Sequence, residues 1–123
     1  MLGIAPAHVC EQRKHQMSLD VYLTAADGSE LYSRNITHNL CKMAEEAGIY
    51  KCLWRPDENG ITHARQIIAP LAAGVTLLAT EKARFEAMNA SNGWGKWEHF
   101  LLFCADYLQA CRDHPDALVR TCR

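Results

Sequence analysis

The chain has 123 residues, 49% of them apolar, and its 13 basic and 14 acidic side chains leave a net charge of −1. A chain of this length buries roughly two thirds of the surface its unfolded form exposes, so one core can form without disulfide or metal staples. The charges are scattered, which excludes the basic stripe of a nucleic-acid binder, and no apolar run approaches the roughly 20 residues of a membrane span.

Residues 1–16 carry no usable period and end in the polar run from Glu11 to Gln16. They read as a flexible N-terminal extension, and residues 17–123 as a single domain. The opening Met1 to Val9 lacks a basic region and is interrupted by Pro6, so it is expected to be neither a signal peptide nor a span. The six cysteines include no Cys-x-x-Cys pair and fall mostly within helical patterns, which points to reduced thiols and a cytoplasmic protein.

From Leu19 the pattern alternates, with Leu19, Val21 and Leu23 apolar and Asp20, Tyr22 and Thr24 polar or amphipathic between them. Asp27-Gly28 interrupts it, and Leu31 to Arg34 resume: a β-hairpin with one apolar face. Leu40, Met43, Ala44 and Ala47 then recur at helical spacing, with Asn35 or Thr37 as cap and Gly48 placed to end the helix in a left-handed conformation. A short apolar segment, Ile49 to Trp54, leads to a break from Arg55 to Gly60.

Ile61-Thr62-His63 repeats Ile36-Thr37-His38, and each tripeptide stands where a helix should begin. The second helix would bury Ala64, Ile67, Ile68, Leu71, Val75 and Leu78, with Pro70 kinking or dividing it. Thr80 can cap a short helix carrying Phe85 and Met88. The loop from Asn89 to Gly95 precedes the longest helix, Trp97 to Cys111, whose wide apolar arc implies burial on two sides or an oligomer contact. After the stop at Asp113 to Asp116, residues 117–122 complete a three-stranded sheet, because a lone hairpin is only marginally stable. The fold class is α+β: a small antiparallel sheet, hairpin plus C-terminal strand, covered on one face by several helices.

Helix starts offer unpaired N–H groups and a favourable dipole to an anion. If the two Ile-Thr-His starts and the Asn/Gly/Trp loop converge, His38 and His63 would orient or neutralise a small polar or anionic ligand. Asn39 and Asn92 would hydrogen-bond it, Arg55 would pair with its charge and Trp94 would stack on it. The competing reading is structural, with Thr37 and Thr62 as ordinary caps and Trp94 plugging the core edge. Two further alternatives are a metal-independent hydrolase using His38 and His63, and a homodimer joined through the Trp97–Cys111 helix. No metal site and no cofactor are expected: there is no His-Glu-x-x-His, no His-x-His and no Lys-Ser/Thr phosphate loop.

Four phrases carry a resemblance: Asn35 to Leu40; Ala47 to Tyr50 with Leu53 to Pro56; Gly60 to Ala64; and Asn92 to Gly95. Through them residues 17–123 resemble a family of small, functionally uncharacterised bacterial and mobile-element proteins. The resemblance implies that the leader lies outside the family's domain, and it brings no activity or catalytic residue.

Overall fold

The computed structural model describes residues 18–89, 93 and 95–123. The expected extension, residues 1–16, and both Asn92 and Trp94 lie outside the described residues. Strands β1 (Ser18–Thr24), β2 (Glu30–Thr37) and β3 (Leu118–Cys122) form an antiparallel sheet in the order β2-β1-β3. The α+β fold is therefore as the sequence pattern predicts. At the hairpin, Gly28 takes a φ of 89°, and Asp27 Oδ1 accepts from the Ser29 N–H and hydroxyl. Leu19, Val21 and Leu23 of the central strand are fully buried, as their alternation requires.

The helices are α1 (Cys41–Glu46), α2 (Tyr50–Trp54), α3 (Arg65–Thr80), α4 (Lys82–Glu86) and α5 (Trp97–Asp113), with 3-10 turns at His38–Leu40 and Pro56–Asn59. Gly48, at φ 79°, ends α1 in the left-handed conformation; its N–H donates to Glu45 O, and that of Ile49 donates to Ala44 O. The apolar segment after it is short but helical, and it buries Cys52, Leu53 and Trp54. Pro70 does not divide α3, since it lies near the helix start on the solvent side, where the carbonyl deprived of its donor can meet water. Thr80 is not the cap of α4: it is the last residue of α3, and its hydroxyl donates back to Thr76 O at 2.9 Å.

The wide apolar arc of α5 is taken up on two sides, by α3 and by the sheet through β2. On the sheet side, Asp106 accepts from the Tyr32 hydroxyl at 2.8 Å and from Arg34 Nη1 at 2.7 Å, and Tyr32 stacks on Tyr107 with ring centres 5.8 Å apart. Burial first, then the Asp106 hydrogen bond, raises the Tyr32 pKa, so the hydroxyl stays a donor. Cys41, Cys52, Cys104 and Cys111 are free thiols. Cys122 departs from the expectation of reduced thiols: it is disulfide-bonded.

Candidate functional site

The first Ile-Thr-His straddles an element boundary. Ile36 and Thr37 finish β2, and the Thr37 hydroxyl accepts the Asn39 N–H at 3.2 Å, which starts the 3-10 turn and projects His38 from the sheet edge. Asn35 is not a cap, because its amide donates to Ser18 and Asp20 across the strand pair. Next to His38 lies α2. Tyr50 and Trp54 are four residues apart, so they share a helix face and stack with ring centres 5.6 Å apart and planes 12° apart.

The Trp54 indole N–H points at His38 Nδ1, 2.8 Å away. An indole nitrogen only donates, so Nδ1 must be the acceptor and the ring proton resides on Nε2. Burial lowers the His38 pKa, and protonation at Nδ1 would set two N–H groups against each other. His38 is thus held as a neutral imidazole with Nε2–H outward. Such a ring offers a hydrogen bond but has no lone pair free to take a proton.

Arg55 ends α2. Its Nε donates to the Tyr50 hydroxyl at 3.4 Å and its Nη1 to Glu58 at 3.2 Å, while Nη2 has no partner among the described residues. The Pro56–Asn59 turn is held to Arg55 O by the Glu58 N–H at 3.1 Å and the Asn59 amide at 2.8 Å. That turn presents Asp57 and Glu58 to Arg123, which donates to Asp57 at 3.1 and 3.5 Å and to Glu58 at 3.2 Å. Burial works to raise the Asp57 pKa, but the Arg123 guanidinium outweighs it and the net shift is downward. Tyr50, Trp54, Arg55, Asp57 and Arg123, with His38, Cys41 and Thr121, line an open cleft of about 680 Å³, and Glu58 stands just outside that lining. The two lining guanidiniums are offset by Asp57 in the cleft and by Glu58, which pairs with both from outside the lining, so the region carries no large fixed charge. Cys41 is no nucleophile there: burial and then Glu45 push its thiol pKa up, against a smaller opposing pull from Arg55.

His38 and Arg55 therefore line the same cleft, and the other described candidates, Asn39 and His63, do not. The second Ile-Thr-His is extended backbone that pairs with β3: His63 bridges to Leu118, and Thr62 O accepts the Val119 N–H at 3.0 Å. Leu118 is three strand residues from Thr121, about 10 Å along β3, and His63 does not line the cleft. Nor is the start of α3 open to an anion. The Ala64 and Arg65 N–H groups donate to Ala117 O and Pro115 O at 2.9 and 3.0 Å, and Gln66 Oε1 accepts from the Thr62 and His63 N–H groups at 2.8 and 2.9 Å. Asn39 is exposed and turns toward the loop before α5, where a β-carbon on Gly95 would lie 3.0 Å from Asn39 Cβ. In that loop Asn89 is a cap, accepting the Trp97 N–H at 2.7 Å.

Sequence reasoning missed Thr121 and Arg123, whose place in the cleft depends on strand pairing across the whole chain. Tyr50 was legible in principle from its four-residue spacing to Trp54. Among the described residues no group of three or more His, Cys, Asp or Glu side chains could hold a metal ion, and no helix is long and apolar enough to cross a membrane. Compared with protein-family models, curated proteins and solved structures, the chain matches none.

Proposed function

We propose that the chain is a small-ligand-binding protein that takes a polar, negatively charged molecule in the cleft between α2, the Pro56–Asn59 turn and β3. The observation that carries this reading is the pairing of a tautomer-fixed His38 with an Arg55 whose Nη2 group is unengaged, inside a recess of about 680 Å³. That volume lies within the range of small-molecule pockets. The anion contacts come from side chains rather than from the start of α3, whose N–H groups already have acceptors. The same geometry counts against hydrolysis with His38 as general base, since its available lone pair is committed to Trp54. Self-association through α5 rests on Leu102, which is 62% exposed, because most of the apolar arc of that helix is buried internally.

Native mass spectrometry of untagged protein tests the reading. The expected result is a retained small anion on the wild type that is lost from Arg55→Gln. A wild type that carries nothing, and whose α2 amide resonances ignore a panel of small anions at millimolar concentration, would sink it.

A further inference from the structure

On the side of the cleft formed by His38, Tyr50 and Arg55, away from Asp57 and Thr121, the hydrogen-bonding capacity is one-sided. His38 presents Nε2–H, because Nδ1 accepts from Trp54. Arg55 presents the two N–H groups of Nη2, which have no partner among the described residues. The Tyr50 hydroxyl accepts from Arg55 Nε and so keeps its own proton to donate. These are donors, and they stand beside a Tyr50 ring already stacked on Trp54.

An ionised carboxylate is the complement of such a set: it accepts only, through two oxygens in one plane. Charge bears on the choice as well. Arg55 and Arg123 are matched by Asp57 and Glu58, with Arg123 held by both acids. A site so balanced favours a single negative charge over the near-double charge of a phosphate monoester, which would be repelled by the two neighbouring carboxylates.

Resting on the cleft reading above, we propose that the ligand class is an aromatic or otherwise planar monocarboxylate, its carboxylate held by Arg55 Nη2 and His38 Nε2–H and its ring laid against Tyr50. Trp54 is then a positioning residue: it touches no ligand atom but sets the imidazole tautomer that donates. A second recess of about 420 Å³, bordered by Tyr50, Glu45, Gly48 and Lys51, gives a longer ring system room to extend past the tyrosine.

The test is an NMR titration of the full chain with three probes: benzoate, the uncharged isostere benzamide, and inorganic phosphate. It is joined to ¹⁵N spectroscopy of the histidine rings at neutral pH. Benzoate should saturably shift the resonances of His38, Tyr50, Trp54 and Arg55, and benzamide should bind about tenfold more weakly for want of charge-assisted hydrogen bonds. The His38 ring should show the Nε2–H tautomer. Trp54→Phe should mix the tautomers and weaken benzoate binding about three- to tenfold. Equal binding of benzamide and benzoate overturns the proposal. Phosphate binding at these residues in place of benzoate overturns the ligand class but leaves the cleft reading standing. No response to any probe overturns the proposal, and the mass-spectrometric result then decides the cleft. A wild-type His38 in the Nδ1–H form overturns the role given to Trp54, whether or not Trp54→Phe folds.

Discussion

Gly74 sits buried in the middle of α3, where two effects of a single methyl group oppose each other. On helix propensity alone, Gly74→Ala should stabilise the protein by about 1 kcal/mol. Packing reverses the sign. The new β-carbon would lie 2.4 Å from Ile49 Cγ2, 3.1 Å from Cδ1 and 3.5 Å from Cβ. Cγ2 is fixed to a branched Cβ, and Ile49 is only 1% exposed, so the methyl cannot swing into solvent. Overpacking costs about 1–3 kcal/mol, and a contact this short belongs at the upper end, which leaves a net loss of about 1–2 kcal/mol. Urea and thermal unfolding followed by circular dichroism would read this as a fall in midpoint of roughly 5 °C per kcal/mol. The decisive comparison uses Ile49→Ala. That change alone costs about 2–5 kcal/mol, but in its background Gly74→Ala should stabilise by about 1 kcal/mol, because only propensity remains. A Gly74→Ala variant that is neutral or stabilised in the wild-type background, or that shows no sign inversion between backgrounds, would refute the reasoning. The contact also governs the cleft, since Ile49 immediately precedes α2; a displaced Ile49 should loosen the Trp54–His38 hydrogen bond.

Burial holds the His38 pKa below its usual 6.5, so just below that pH the unfolded chain binds a proton that the native state does not. Stability should therefore fall as pH drops through that window and be indifferent to His38 above it; urea titrations from about pH 7.5 to about pH 5 should show a slope that His38→Gln reduces. An unchanged slope in that variant would contradict the assignment. Gly95→Ala should lose about 1–3 kcal/mol in chemical denaturation, because it forces a φ of 100° on a residue with a side chain and sets its methyl 3.0 Å from Asn39 Cβ. The fully buried Tyr107 hydroxyl has no hydrogen-bond partner among the described residues, so Tyr107→Phe should leave the melting temperature unchanged or raise it; a loss above about 1 kcal/mol would reveal a bond. Gln66→Ala removes the acceptor shared by the Thr62 and His63 N–H groups and should cost about 0.5–2 kcal/mol, as loss of a helix cap does.

The sequence was informative where structure is local. Asp27-Gly28 between alternating runs specifies the hairpin, and Gly48 after Ala44 and Ala47 specifies the end of α1, because backbone sterics decide both. It misled at the second Ile-Thr-His. Thr62 is a good cap residue by type, yet the acceptor there is Gln66, and Thr62 and His63 spend their backbone on β3, more than fifty residues later. The two tripeptides match in composition and differ in context: the first ends β2 and turns into a 3-10 helix, and the second pairs with β3 outside any named strand. The cleft was half legible: Trp54 and Arg55 stand side by side in the chain, but no local pattern could announce that Arg123 returns to Asp57.

β3 follows every other described element in the chain, and it alone carries Thr121 and Arg123 into the cleft. During synthesis the hairpin and the helices can begin to associate as they emerge, at roughly 5–20 residues per second, but the recess lacks two of its walls until this strand has docked beside β1. On the proposed ligand-binding reading, competence to hold a ligand therefore waits on the docking of β3. A partly made chain presents Arg55 without its counterpart across the cleft, and a ligand that binds only the finished site would pull the last docking step forward by mass action.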